Sequence, residues 1–290
     1  MTGLVRNLGD PVALAKLHYD NGCDELVFLN ITSFRNVPLN DQPMLSLLSN
    51  TSREVFVPLT IGGGIRDIKL TIDGKDTTYT ALQVASTYFR CGADKVSIGS
   101  DAVFTTEALL ATFPIVHNGM SSIEQISRAY GAQAVVVSVD PKRMYVADPR
   151  HCPEAHRPCL VKLNLDRGPE MEEYCYWLCT VKGGREVRDL DVVQLLKMVE
   201  SLGAGEVMVN CIDKDGKEQG FDVDLMKLCK QTVRIPVIAS SGAGTAQHFV
   251  DVFKEAGVDA ALAAGIFHKG QVAIMDVKRH CTSQGLPARQ

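Results

Sequence analysis

Short, nearly continuous apolar runs recur along the chain, and between them lie longer stretches whose apolar residues return at helical spacing. The runs at 25–30, 55–60, 95–99, 133–140, 205–211, 235–240 and 259–264 read as strands, because branched and aromatic side chains suit a pleated, buried surface. Helices are expected at 12–19, 43–48, 81–91, 106–111, 123–130, 191–202, 222–231, 245–256 and 272–281. Asp10 followed by Pro11 supplies a cap and a first-turn residue for the first of them. Strands that are apolar on both faces and alternate with helices imply a parallel sheet buried on both sides. The expected class is α/β, and 290 residues suit one α/β barrel or two small domains.

Residues 141 to about 184 interrupt this rhythm with Pro149, Pro153, Pro158, Pro169 and the one tryptophan, Trp177. They read as an elaborated loop with a β-hairpin inside a single domain spanning 1–290, and Asp73-Gly74 marks a smaller turn or hairpin. The chain also repeats itself. Gly22-Cys-Asp-Glu-Leu-Val matches Gly203-Ala-Gly-Glu-Val-Met, Val57-Pro-Leu-Thr-Ile-Gly matches Ile235-Pro-Val-Ile-Ala-Ser, and Cys91-Gly-Ala-Asp-Lys-Val matches Ala256-Gly-Val-Asp-Ala-Ala. Two halves of one design imply eight strands, of which seven are visible, so the remaining one is expected upstream of Met1.

The run Gln133 to Asp140 ends in a carboxylate and meets Pro141 at once. Alternation places Val136, Ser138 and Asp140 on one face. Asp140 is therefore either a turn or cap aspartate, or an acid/base group at the mouth of the sheet, where α/β folds carry their sites. Glycine-bearing turns follow several strands: Gly62-Gly63-Gly64, Gly99-Ser100, Asp215-Gly216, Ser241-Gly242-Ala243-Gly244 and Ala264-Gly265. Singly, each is ordinary turn chemistry. Paired by the repeat, they form two clusters across the mouth, where backbone N–H groups can wrap anions, and a ligand with a phosphate at each end is the expectation. At the opposite end Glu25, Lys95 and Glu206 each open a strand. They are solvated strand starts, or a charged ring that gates a path through the barrel.

Composition narrows the field. With 46% hydrophobic and 22% charged residues, a formal charge of −4 and a pI near 6.0, the chain offers no general attraction for nucleic acid or an acidic membrane. No apolar run has the length of a membrane span, and the start is no signal peptide. Nine cysteines at no framework spacing fit reduced thiols and a cytoplasmic setting. His151, Cys152, His156 and Cys159 cluster in sequence, but their spacing matches no specific zinc pattern, and neither a metal nor another cofactor is expected.

Together Val57–Ile65, Asp94–Asp101, Gln133–Arg143, Asn210–Gly216 and Ile238–Gly244 resemble the cyclase part of imidazole glycerol phosphate synthase of the fused eukaryotic type, over nearly all of the chain. The resemblance implies a (β/α)8 barrel that takes a bisphosphorylated ribulosyl-formimino carboxamide ribonucleotide plus ammonia. It would yield imidazole glycerol phosphate and an aminoimidazole carboxamide ribotide in histidine biosynthesis, with a glutaminase domain as the ammonia-supplying partner. It further implies that Asp140 is one of two acid/base aspartates. Gly64, Gly99 and Ser100 would hold one phosphate, and Asp215, Gly216, Gly242, Ala264 and Gly265 the other. Glu25, Lys95 and Glu206 match three of the four residues of an ammonia gate. The family's first strand, with its second aspartate and the gate's arginine, and the glutaminase would lie upstream; so would any transit peptide directing the protein to a plastid. The chain is thus expected to be a fragment or a degenerate copy, with little activity by itself. The alternatives are the sister isomerase of the same pathway and a non-catalytic barrel remnant.

Overall fold

The computed structural model describes residues 9–30, 39, 42–72, 75–164 and 166–289. The chain begins with α1 (Pro11–Asp20), β1 (Leu26–Leu29), α2 (Pro43–Thr51), β2 (Leu59–Gly62), β3 (Ile68–Ile72), β4 (Lys75–Tyr79), α3 (Ala81–Arg90), β5 (Lys95–Ile98), α4 (Ser100–Leu110) and α5 (Ser122–Tyr130). It continues with β6 (Val135–Val139), β7 (Pro141–Val146), β8 (Val161–Lys162), β9 (Tyr174–Val181), β10 (Glu186–Asp191) and α6 (Val192–Ser201). The last part is β11 (Glu206–Asn210), α7 (Val223–Thr232), β12 (Val237–Ser240), α8 (Ala246–Asp251), β13 (Ala260–Leu262), α9 (Gly265–His268) and α10 (Ile274–Ser283).

Seven strands pair in the order β1-β2-β5-β6-β11-β12-β13, every pair parallel. On β6 the side chains Val135, Val137 and Val139 are buried in the core shared with the helices. Register puts Glu25, Thr60, Lys95, Val136, Glu206 and their alternate successors on the other, inner face. In a flat sheet the starts of β1 and β11 would stand four strand spacings apart, ~19 Å. Yet the ammonium of Lys95 reaches both Glu25, at 2.8 Å, and Glu206, at 2.7 Å. The sheet is therefore strongly curled about its inner face, as a half-barrel. Its outermost strands, β1 and β13, have no further strand partner among the described residues. The helical layer nevertheless meets outside that gap: His18 of α1 lies 3.1 Å from His268 of α9, and Lys278 of α10 salt-bridges Asp24 at 2.8 Å.

Several elements differ from the sequence reading, each for a local reason. β2 spans Leu59–Gly62 rather than 55–60. Val55 is apolar because it packs under α1 with Ala15 and Leu59, and Pro58, with no N–H, delays the ladder. α4 starts at Ser100, straight from Gly99, well before the helix expected at 106. Pro141 ends β6 but opens β7, as a residue without a donor can at the start of a strand. The excursion that follows is a four-stranded antiparallel sheet, β10-β9-β7 with β8 beside β9, and it runs to Asp191 rather than Gly184. The helix expected at 245–256 is α8 up to Asp251, then a wider π-type segment, Val252–Ala256, ended by the left-handed Gly257. Asp73-Gly74 lies outside the described residues, and the strands flanking it, β3 and β4, pair antiparallel.

The inserted sheet is fastened by buried charge. Arg143 of β7 donates to Asp222 at 2.7 Å, and Trp177 of β9, fully buried, donates its indole N–H to the same carboxylate at 3.2 Å. Asp222 also caps α7 through Leu225 N. His156 sits between Asp191, at 2.9 Å, and Asp189, at 2.8 Å, stacked on Tyr176.

Candidate active site

The C-terminal ends of the strands form a rim, and Asp140 stands on it. Its backbone is fixed by the inserted sheet, since its carbonyl accepts from Thr180 N at 3.1 Å and from Thr180 Oγ1 at 2.7 Å. Its half-buried side chain follows the inner-face stripe of Val136 and Ser138. Asn210 ends β11 on the adjacent strand, and its Nδ2 donates to Asp140 Oδ1 at 3.2 Å. Burial pushes the Asp140 carboxyl up from its usual value of 3.8; the Asn210 hydrogen bond opposes the shift and the negative charge of Asp215 adds to it. Among the described residues no cation contacts this carboxyl.

The glycine turns flank this acid. On one side Gly64 has φ +78°, Gly99 is the N-cap of α4, and Ser100 opens that helix. Ser100 Oγ accepts from Lys182 N at 3.1 Å, so the turn between β9 and β10 closes over this helix start. On the other side stand Asp215, Gly216 at φ +69°, Gly242 at φ +97°, and Ala264 with Gly265 at the start of α9. Gly242 is sterically required, because a Cβ there would lie 2.1 Å from the carbonyl oxygen of Gly220. At Gly265 a Cβ would meet nothing within 4 Å. Ser240 and Ser241 tie the second cluster to the acid: Asn210 Oδ1 accepts from both hydroxyls, and Ser241 Oγ lies 3.2 Å from Asp215 Oδ1.

At the floor, the opposite end of the strands, Glu25, Lys95 and Glu206 form one cluster. Glu206 takes Lys95 with both oxygens, at 2.7 and 3.0 Å, and Glu25 takes it at 2.8 Å while accepting from Thr60 Oγ1 at 2.6 Å. Burial alone would lower the Lys95 ammonium's pKa, but the hydrogen bonds to Glu206 and Glu25 outweigh it and raise it above 10.5.

The structure thus joins Asp140, Asp215 and the Gly242 turn in one network at the rim, and Glu25, Lys95 and Glu206 in another at the floor. His151, Cys152, His156 and Cys159 behave otherwise. Both His156 nitrogens engage carboxylates, the Cys159 thiol engages the Trp177 backbone, and no metal-binding group of His, Cys, Asp or Glu occurs among the described residues. A cavity of 220 Å³ lies beside the rim, but its charges are paired internally, Arg143 with Asp222 and Lys214 with Asp166. Sequence reading missed Asn210, Ser241 and Thr60. The motif containing Asn210 was visible, but its partners sit on other strands.

Fold and rim define the class: a curled parallel α/β sheet with a carboxylate between two sets of glycine turns at its C-terminal end. The family model described as histidine biosynthesis protein matches residues 4–273. The chain is 54% identical over 288 residues to the imidazole glycerol phosphate synthase hisHF of Emericella nidulans, covering 99% of this chain and 50% of that protein. It is 53% identical to the chloroplastic hisHF of Arabidopsis thaliana, covering 98% of this chain and 46% of that one. With the imidazole glycerol phosphate synthase subunit HisF of Haloarcula marismortui it shares 39% identity, over 97% of this chain and 87% of the relative. The chain belongs to the histidine biosynthesis protein family, and within it to the HisF branch of imidazole glycerol phosphate synthase. It spans about half the length of the fused relatives. The relatives thus include both fused hisHF proteins and a separate HisF subunit, one of the former chloroplastic. No helix among the described residues is long and apolar enough to cross a membrane.

Proposed function

We propose that this chain is the ammonia-using cyclase part of an imidazole glycerol phosphate synthase. It takes a bisphosphorylated ribulosyl-formimino carboxamide ribonucleotide at the rim and ammonia through the floor. The products are imidazole glycerol phosphate and an aminoimidazole carboxamide ribotide. The observation that carries the reading is the coexistence of two polar ends on one inner face: a half-buried carboxylate hydrogen-bonded by Asn210 at one and a lysine clamped by two glutamates at the other.

Each part has a task. Asp140, whose carboxyl burial pushes up from its ordinary value, stands on the inner face at the rim and is suited to give and take a proton. Gly64, Gly99 and Ser100 present backbone donors to one phosphate, aided by the N-terminus of α4. Asp215, Gly216, Gly242, Ala264 and Gly265 hold the other, with backbone N–H groups rather than the Asp215 carboxylate making the contact. A glutaminase, fused or separate, delivers ammonia to the Glu25–Lys95–Glu206 cluster, which opens as Lys95 releases one glutamate. The full architecture is a (β/α)8 barrel of two repeated halves. Its remaining strand pairs with β1 and β13, beneath the contacts of α1 with α9 and of Asp24 with α10, and brings a second aspartate and an arginine that balances the floor. Neither a sister isomerase nor a barrel remnant needs a charged floor of this kind.

The test is formation of imidazole glycerol phosphate by the full-length protein from the bisphosphorylated substrate and ammonium. Product in the wild type and its loss in Asp140→Asn are expected. No product, or an undiminished mutant, contradicts the proposal.

A further inference from the structure

The hydrogen bonds that join the acid to the second glycine cluster contain an unusual serine. Asn210 Oδ1 accepts from Ser240 Oγ at 3.1 Å and from Ser241 Oγ at 2.5 Å, while its Nδ2 donates to Asp140. Ser241 Oγ also stands 3.2 Å from Asp215 Oδ1. A hydroxyl has one proton, so Ser241 serves Asn210 or Asp215 at any moment and not both. The shorter contact assigns that proton to Asn210.

Ser241 reaches this position at a conformational cost. Its φ is +73°, the left-handed region that a residue with a Cβ seldom adopts, and it is buried. The next residue, Gly242, is also left-handed and is glycine by steric necessity. At 241 the chain keeps a side chain where glycine would relieve strain, and what that side chain adds is a hydroxyl aimed at Asn210.

We propose that Ser241 is a positioning residue: its hydroxyl holds the Asn210 amide with Nδ2 turned toward Asp140, and so sets how readily that acid ionises. The inference rests on reading Asp140 as the acid/base group, and adds a coupling to it. An amide whose oxygen is anchored by two donors keeps its N–H on the carboxylate, which favours the ionised form; anchored by one, it is free to turn its oxygen there instead. Asp215 competes for the same proton, so charge in the phosphate-holding turn and charge on Asp140 draw on one hydroxyl. The ionisable groups acting on or feeling Asp140 are Asp215, after β11, and the buried thiol of Cys179 in β9, whose ionisation burial pushes far up.

The experiment compares Ser241→Gly and Ser241→Ala with wild type in the full-length protein. Glycine removes hydroxyl and strain together, so that variant melts no lower than wild type, while alanine keeps the strain. In the substrate-free protein, carboxyl carbon NMR is expected to show the Asp140 titration midpoint raised by roughly half a unit to one unit in both variants. The limb of the turnover profile that belongs to Asp140 moves up equally, and kcat falls by about 3- to 10-fold with a smaller change in KM. An Asp140 midpoint unmoved in Ser241→Gly overturns the inference, whatever happens to turnover. A raised midpoint in a protein that makes no product upholds it and removes the functional reading instead.

Discussion

The two ends of the curled sheet carry similar residues in opposite electrostatic states. At the floor, a cation is held by two carboxylates, one of which is also bonded by Thr60. At the rim, a carboxylate faces a neutral amide and lies near a second acid, with no cation on it among the described residues. Charge that is paired is held in its ionised form. Charge left unpaired in a half-buried place shifts its protonation and becomes available for chemistry. The difference comes from the same alternation: even-numbered steps along each strand face inward, and which end a residue occupies decides its neighbours.

The largest expected effect breaks the rim. Asp140→Asn in the full-length protein should lower turnover by a factor on the order of 10² to 10⁴ while leaving substrate affinity nearly unchanged, as steady-state kinetics with ammonium would measure. Wild-type turnover in that variant removes Asp140 from the chemistry.

Next come the glycines, which separate folding from binding. Gly242→Ala puts a methyl 2.1 Å from the Gly220 carbonyl at a left-handed φ, so denaturant unfolding should show a loss on the order of 2 kcal/mol or more. Gly265→Ala meets no neighbour, so it should fold normally and weaken only binding of the bisphosphorylated ligand, measured calorimetrically. Equal stability of the two variants contradicts the steric account.

At the floor, Lys95→Ala leaves two partly buried carboxylates facing each other and should cost about 1–3 kcal/mol, less than for a fully buried pair because both remain partly wetted. The sign with pH follows from the raised Lys95 value. Its contribution is fully present below 10.5 and disappears as pH rises through the higher folded value, so the gap between wild type and mutant should narrow only in strong alkali.

The smallest effect concerns the inserted sheet. Burial alone would lower the pKa of His156, but the bonds to Asp191 and Asp189 raise it above 6.5. Its stabilisation is present below 6.5 and fades as pH climbs through the raised value. His156→Gln should therefore destabilise the protein more at pH 6 than at pH 9, by thermal melts at both; an equal loss at both contradicts the ion-pair account.

Central strands such as β2, β5 and β6 and most helices were legible because burial on both faces writes itself into continuous apolar runs, and Asp10 does cap α1 through Ala13 N. Asp140 stood out because an acid on an inner-face position at a strand end is a local signal. What could not be read was set across strands. The Asn210–Ser241 contact depends on register between β11 and β12, and the His156 partners, Asp189 and Asp191, lie beyond any local window. In the inserted segment a hairpin was legible, and β9 with β10 forms one, but prolines hid the further strands, whose order comes from packing Trp177 and Arg143 on Asp222 rather than from pattern.

The measurement that tests the two-ended account most directly is the ratio of glutamine-supported to ammonium-supported turnover in the full-length protein, wild type against Lys95→Ala. If the floor admits ammonia and the rim performs the chemistry, the mutant's ratio changes, with glutamine-dependent turnover disturbed and ammonium-dependent turnover comparatively intact. A ratio equal to that of the wild type would contradict the account and leave the charged floor as a structural plug.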